Sequence, residues 1–202
     1  RDPSRIAEVL NRVIMQSKRA SAPAQINVPR DYWTQVIDIE LPAVVDFELP
    51  SGGEEAINKA ADLLSNAKNP VILNGAGVVI GDAIPASMRL AERLDAPVCC
   101  GYQHNDAFPG SHPLFAGPLG YNGSKAAMEL ISQADVVLAL GTRLNPFSTL
   151  PGYGIDYWPK NASIIQVDIN ADRIGLTKPV TIGIIGDAKK VASSLLEKLD
   201  SK

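Results

Sequence analysis

Residues 70–77 read PVILNGAG and residues 134–143 read ADVVLALGTR, two apolar runs that each lead into a glycine. Continuous apolar runs of this length predict strands that are buried on both faces, as in a parallel sheet. Such runs alternate with amphipathic stretches that have the spacing of helices, at residues 54–67, 83–94, 124–134 and 187–199. The alternation predicts an α/β fold with a doubly wound, mostly parallel, Rossmann-like sheet.

Five strands are predicted in this part of the chain, at residues 70–74, 97–100, 135–140, 163–168 and 180–185. The Gly- and Pro-rich stretch at residues 101–123 is predicted to be a loop. Asp82 precedes one helical stretch and Asp187 begins another, and both are predicted to be N-caps, because a carboxylate there can accept from the free amides of the first turn.

The first fifty residues have a different organisation. Residues 4–18 have the apolar spacing of a helix with Ser4 as N-cap, and residues 24–28 have the composition of a short strand. One helix and one strand cannot close a core. We therefore expect residues 1–33 to be the C-terminal remnant of a preceding α/β domain, cut from a longer protein, followed by a linker at 34–50 and a central domain at 51–202.

Composition argues against several classes of function. The net charge of -3 and the absence of a basic stripe argue against nucleic acid as a partner. No apolar run approaches the roughly 18 to 20 residues that a membrane helix needs. Cys99 and Cys100 are neighbours on a predicted strand and point to opposite faces, which disfavours a disulfide between them and is typical of reduced core thiols in a cytoplasmic protein.

The strand ends are where a ligand is expected, because parallel α/β sheets bind ligands outside the carboxyl ends of their strands. A glycine follows four of the five predicted strands, which suits close approach to a nucleotide. The turn Gly75-Ala76-Gly77 resembles a dinucleotide fingerprint, but the third glycine position is Ile80. The alternative is that these glycines pack helix on strand without any ligand.

Charged side chains near the strand ends have two interpretations each. Arg143 is suited to a pyrophosphate or to a salt bridge, and Asp168 to ribose hydroxyls or to ending a strand. His104 is either a general base or a hydrogen-bonding loop residue. The sequence has no metal-ligand spacing, Walker motif or GxSxG motif.

Six stretches, taken in order, resemble the central domain of thiamine-diphosphate enzymes of the acetohydroxyacid synthase and pyruvate oxidase type. They read PVILNGAG at 70–77, AFPGSHPL at 107–114, GPLGYNG at 117–123, ADVVLALGTR at 134–143, IQVDI at 165–169 and GD at 186–187. Residues 4–33 resemble the closing helix and strand of that family's pyrimidine-binding domain. Within the family, VPRDYW at 28–33, GYNGSKAAM at 120–128 and DYWPKN at 156–161 are most similar to the sulfoacetaldehyde acetyltransferases.

The resemblance implies that the complete protein uses thiamine diphosphate and Mg²⁺ to cleave sulfoacetaldehyde and to pass the acetyl unit to phosphate, giving acetyl phosphate and sulfite. In the family, the activating glutamate lies in the preceding pyrimidine domain, and the metal and diphosphate ligands lie in a following domain. We therefore expect no catalytic or metal-binding residue in this chain and no activity from it alone. Its expected partners are the two flanking domains, in a homodimer or homotetramer.

In the FAD-containing relatives, the central domain holds the flavin nucleotide at positions that match Gly75, Gly77, Gly120, Gly123, Gly141, Arg143, Asp168 and Asp187. This chain has Leu144-Asn145-Pro146 where the synthases have Phe-Asp-Asp after the arginine, so two carboxylates are missing. We therefore expect no FAD, and an adenine nucleotide or no ligand instead. Two alternatives stay open: an FAD-binding central domain of an acetolactate synthase or pyruvate oxidase-like enzyme, and a stand-alone nucleotide-binding module.

Overall fold

The computed structural model describes residues 2–43 and 45–201, and the chain divides into two compact units, residues 1–48 and 49–202. In the first unit, helix α1 (Ile6–Ala20) follows a 3-10 turn at Pro3–Arg5. The Asp2 carboxylate accepts from the Ser4 amide at 3.0 Å and caps that turn. The prediction of Ser4 as N-cap of the helix is wrong, because the 3-10 turn comes first and α1 begins after Arg5 without a side-chain cap.

The strand predicted at residues 24–28 is also wrong, because these residues have no regular secondary structure. A strand needs a neighbour to pair its amides and carbonyls. The described residues of this unit contain no other strand, so the apolar alternation at 24–28 has no partner with which to form a ladder.

The second unit is built on six strands, all parallel, in the order β3-β2-β1-β4-β5-β6. They are β1 (Pro70–Asn74), β2 (Val98–Cys100), β3 (Phe115–Pro118), β4 (Val136–Leu140), β5 (Ser163–Asp168) and β6 (Ile182–Ile185). This order confirms the predicted doubly wound parallel sheet. The count of five was wrong, because the short edge strand β3 lies in the Gly- and Pro-rich stretch and contains Gly117 and Pro118, which are poor strand formers.

In the described part of the second unit, residues 49–201, there are five α-helices: α2 (Glu54–Asn66), α3 (Ala76–Ile80), α4 (Ile84–Leu94), α5 (Lys125–Ser132) and α6 (Ala188–Asp200). Asp187 is the N-cap of α6, as predicted, and accepts from the amides of Lys189 and Lys190. Asp82 is not the cap of α4, because the short turn after α3 places it at a φ of 50° and α4 begins after Ala83. The Asp82 carboxylate instead lies 2.9 Å from the Lys189 Nζ.

The core has two layers, one on each face of the sheet. Helices α2, α4 and α6 cover one face, and α5 with the buried ring of Tyr157 covers the other. Cys100 belongs to the first layer and Cys99 to the second, and both are fully buried and free. The prediction that they are core residues on opposite faces is confirmed, and burial raises the pKa of both thiols, that of Cys100 to about 12.

Candidate functional site

The carboxyl ends of the six parallel strands meet at one edge of the sheet, and most of the predicted site residues lie there. Strands β1 and β4 are neighbours at the centre, with Asn74 opposite Leu140. Gly75 and Gly141 directly follow these two strands. Gly75, Gly77 and Gly141 are therefore brought together, as expected for residues that follow neighbouring strands.

The turn that contains Gly75 and Gly77 packs directly against the backbone at Gly141. The Gly77 amide donates to the Gly141 carbonyl at 2.8 Å, and the Gly75 amide donates to the Leu140 carbonyl at 3.0 Å. A Cβ added to Gly77 would lie 2.7 Å from the Gly141 Cα, closer than real Cβ atoms come to other atoms. The close approach of two backbone segments therefore requires glycine here whether or not a ligand binds.

Gly120 and Gly123 form a turn that follows β3. This turn lies at the carboxyl edge of the sheet, next to the end of β2. Gly120 has a φ of 100°, and a Cβ there would collide with the Phe147 carbonyl. The Gly123 amide donates to the Gly120 carbonyl at 2.8 Å and closes the turn. Both glycines are explained by turn geometry and by the neighbouring loop that carries Phe147.

Asp168 ends β5 and is only 5% exposed. Its Oδ1 accepts from the Asn170 amide at 2.9 Å and lies 3.9 Å from the Arg173 Nη1. Burial raises the pKa of Asp168, although the Asn170 amide and the positive charges of Arg173 and Arg143 act to lower it. The Asp168 carboxylate is thus largely covered by the chain, whereas Arg143, whose positive charge acts on Asp168, is exposed.

Asp187 is 8% exposed, and its Oδ1 accepts from the first-turn amides of α6 at 3.0 and 3.1 Å. A Cβ on Gly81 would lie 2.9 Å from its Oδ2, so the α3–α4 turn packs against it. Of the eight predicted residues, Arg143 is the one whose side chain is exposed at this edge.

A buried glutamine in the middle of β5 was missed. Gln166 is 1% exposed, and its Nε2 donates to the carbonyls of Thr142 and Arg173 at 3.1 and 3.0 Å. Its Oε1 accepts from the Gly175 amide at 2.8 Å. Gln166 thus joins the loop that carries Arg143 to the loop that carries Arg173. The signal was a single polar residue inside an apolar run, but the sequence does not identify its partners.

A cleft of about 450 Å³ at the ends of β2 and β3 was also missed. It is lined by Tyr102, Gln103, Asn105, Pro118, Leu119 and Asn122. The buried Ser148 Oγ accepts from the Tyr102 amide at 3.0 Å, and the rings of Tyr102 and Phe147 lie 6.1 Å apart. The only signal was the recurrence of amide side chains in the Gly- and Pro-rich stretch.

Neither histidine belongs to a metal-binding group. His112 accepts from the Leu114 amide through Nδ1 at 3.2 Å, and its Nε2 lies 3.2 Å from the Glu92 Oε1, so it fixes the loop to α4. His104 lies in a turn whose Ala107 amide donates to the His104 carbonyl, and a catalytic role for it stays a hypothesis. Across residues 2–43 and 45–201, no three His, Cys, Asp or Glu side chains are grouped so that they could hold a metal ion. Among the same residues, no helix is long and apolar enough to cross a membrane.

Comparison with known proteins gives concordant matches. Residues 57–195 match the family described as "Thiamine pyrophosphate enzyme, central domain". The chain is 80% identical over 199 residues to a sulfoacetaldehyde acetyltransferase of Roseovarius nubinhibens, covering 98% of this chain and 33% of that protein. It is 78% identical over 199 residues to a probable sulfoacetaldehyde acetyltransferase of Rhizobium meliloti, covering 98% and 34%. A probable acetolactate synthase large subunit of Methanocaldococcus jannaschii is 39% identical over 186 residues, covering 88% and 31%.

Solved structures agree on the fold. A benzoylformate decarboxylase from Polynucleobacter necessarius superposes with a TM-score of 0.81 at 21% identity, covering 96% of this chain and 36% of that one. The chain spans about a third of the length of the curated relatives it matches. The family match covers more than half of the chain and the fold agrees with it. The chain therefore belongs to the family of the central domain of thiamine pyrophosphate enzymes.

Proposed function

We propose that this chain is a fragment, containing the central domain, of a thiamine-diphosphate-dependent sulfoacetaldehyde acetyltransferase, which converts sulfoacetaldehyde and phosphate into acetyl phosphate and sulfite. The observation that carries the proposal is the difference in similarity. Identity to the sulfoacetaldehyde acetyltransferase of Roseovarius nubinhibens is about twice the identity to the acetolactate synthase subunit.

In this proposal the chain supplies the scaffold and the flanking domains supply the chemistry. Residues 1–33 close a preceding pyrimidine-binding domain, residues 34–50 cross to the next domain, and residues 51–202 are the central domain. Thiamine diphosphate and Mg²⁺ are held by the pyrimidine and diphosphate domains, and no step is assigned to a residue of this chain. The complete enzyme is a homodimer or homotetramer in the cytoplasm, a location that suits the two free thiols, Cys99 and Cys100.

A test uses the complete polypeptide that contains this chain. We expect it to release sulfite from sulfoacetaldehyde only when phosphate, thiamine diphosphate and Mg²⁺ are present. The matched control offers pyruvate in place of sulfoacetaldehyde and measures acetolactate. Condensation of pyruvate together with no reaction of sulfoacetaldehyde would show that the acetolactate synthase alternative is correct.

The isolated chain gives a second test. We expect calorimetric titration of residues 1–202 with thiamine diphosphate and Mg²⁺ to give no binding, and we expect the chain to produce no sulfite from sulfoacetaldehyde. The complete polypeptide, titrated in the same buffer, is the positive control. Micromolar affinity of the isolated chain would contradict the assignment of the cofactor to the flanking domains.

A second candidate function is weak binding of an adenine nucleotide, supported by the exposed Arg143, whose positive charge acts on the buried Asp168. A guanidinium can pair two donors with a phosphate. We propose no FAD, because Asn145 and Pro146 stand where carboxylates are expected, so the chain should purify without colour. A yellow preparation with a flavin absorption band would contradict this.

A further inference from the structure

The crevice at which a doubly wound sheet takes a dinucleotide lies where the strand order reverses. In this sheet the chain proceeds outward from β1 through β2 to β3 and then returns to add β4 on the other side of β1. The crevice is therefore between the carboxyl ends of β1 and β4. The turn that carries Gly75 and Gly77 borders it on one side and Gly141 on the other.

Three of the amides that could hold a pyrophosphate in this crevice already have acceptors within the chain. A pyrophosphate binds there through free backbone amides at the start of the following helix. Here the Gly75 amide donates to Leu140, the Gly77 amide to Gly141 and the Val78 amide to Gly75, at 3.0, 2.8 and 3.0 Å. The following helix, α3, is only five residues long.

The space in the crevice is also filled by the chain. An added Cβ on Gly75 would lie 2.5 Å from the Thr142 Cβ, and one on Gly141 would lie 2.7 Å from the Gly77 Cα. Real Cβ atoms do not come this close to other atoms, so the space between the two backbone segments does not admit even a methyl group. A phosphate group is larger than a methyl group and therefore does not fit between the segments.

We infer that the crevice between β1 and β4 is closed by the chain's own backbone and receives no dinucleotide pyrophosphate. Gly75, Gly77 and Gly141 instead form what we call the glycine junction, which fastens the β1–α3 turn to the end of β4. A nucleotide that contacts Arg143 binds outside this crevice. The inference does not depend on the proposed acetyl transfer, so either one can fail without the other.

Amide hydrogen exchange of the chain, followed residue by residue by NMR, tests the junction directly. We expect the Gly77 amide to exchange slowly in the free chain, because it donates to Gly141, and to change by less than about twofold when FAD, NAD or ADP is added. If the crevice were open, the Gly77 amide would exchange rapidly in the free chain and would be protected by a bound dinucleotide. Rapid exchange at Gly77 that slows roughly tenfold or more with a dinucleotide would overturn the inference.

Substitutions supply an independent test with matched controls. Gly77→Ala should lower Tm by roughly 5 °C or more, because the added methyl has no space. Gly53→Ala is the control, since a Cβ there meets nothing within 4 Å. Gly141 and Gly154 both have positive φ, but only Gly141 is crowded, so Gly141→Ala should lower Tm further than Gly154→Ala.

Equal Tm values for the Gly77→Ala and Gly53→Ala variants would show that the backbones are not in contact and that the inference is wrong. If Gly77→Ala does not fold, the exchange measurement on the unaltered chain still decides the question.

Discussion

The Nδ2 of Asn74 donates to the Oγ of Ser87 over 2.9 Å, and both residues are completely buried. Asn74 ends β1 and Ser87 lies in α4. The same amide group donates to the Ala107 carbonyl at 3.0 Å. One side chain thus joins the central strand, a helix and the loop after β2. The loop that carries two cleft residues, Gln103 and Asn105, is therefore anchored to the core.

Removing the hydroxyl of Ser87 should be costly, because buried polar atoms need partners. We expect Ser87→Ala to lower the free energy of unfolding by about 1 to 3 kcal/mol, the range for leaving a buried polar group unsatisfied. The matched control is Ser132→Ala, which removes an exposed hydroxyl that bonds to the Glu129 carbonyl. Urea denaturation of both variants measures the difference, and equal small losses would contradict the importance of the buried network.

A second prediction concerns Asp135, which precedes β4. Its two carboxylate oxygens accept from the amides of Lys68 and Asn69 at 2.7 and 3.0 Å. Burial acts to raise the pKa of Asp135, but these backbone amides outweigh it and hold the pKa below its usual value. Since the folded-state pKa is depressed, the stabilisation is present above the usual pKa of about 3.9 and is lost as the pH falls through the lower folded value.

Asp135→Asn should therefore reduce the free energy of unfolding by about 1 kcal/mol at neutral pH, because the negative charge and one of the two acceptor oxygens are lost at a partly solvated site. The difference from the unaltered chain should shrink as the pH falls below about 4, where the carboxylate of the unfolded chain is protonated, and should reach its minimum once the pH is below the lower folded-state pKa. Urea denaturation at several pH values measures this. A difference that stays constant into acid would show that the carboxylate charge is not responsible.

Asp168 should behave in the opposite way. Burial raises the pKa of this carboxylate despite the Asn170 amide and the nearby arginines. A raised folded-state pKa means that the stabilisation is present below the usual pKa and is lost as the pH rises through the folded value. We expect Asp168→Asn to leave the free energy of unfolding unchanged or higher at neutral pH, because an asparagine Oδ1 can still accept from Asn170.

The free energies of unfolding of Asp168→Asn and Asp135→Asn should be measured by urea denaturation under identical conditions. The chemical change is the same at both positions, so a difference between the two variants reports on their surroundings. A loss at Asp168 as large as the loss at Asp135 would mean that the attraction of Arg143 and Arg173 exceeds the cost of burial.

The sheet could be predicted because five of its six strands lie in mainly apolar runs of the sequence. The bounds of β5 match the prediction at both ends, and β1 does too. Strand β3 could not be predicted, because Phe115–Pro118 becomes a strand only by pairing with β2 at the sheet edge. The prediction of Asp82 as an N-cap was wrong because a short turn separates α3 from α4. The sequence does not reveal where α3 ends and α4 begins.

Much less of the candidate site could be predicted. The glycines at the strand ends follow from the strands themselves, so their positions were identifiable. The partners of Gln166 and Ser148 were not, because each joins loops that are far apart in the sequence. A buried amide or hydroxyl shows in sequence as a polar residue among apolar ones, but its hydrogen bonds depend on the folded loop positions.

The last prediction concerns Arg143, the exposed charged residue among the eight predicted at the site. Its positive charge acts on Asp168, and it directly follows Thr142, whose carbonyl accepts from Gln166. If the chain binds an adenine nucleotide through this group, Arg143→Ala should weaken binding by about 1.5 to 3 kcal/mol, or roughly 10- to 150-fold in Kd. The control is Arg89→Ala, which removes an exposed arginine that lies on α4. This variant should leave Kd unchanged. Calorimetric titration with ADP measures both variants beside the unaltered chain. A nucleotide affinity that is the same in the Arg143→Ala and Arg89→Ala variants would remove Arg143 from the site, because no charge-assisted hydrogen bond would then have been lost.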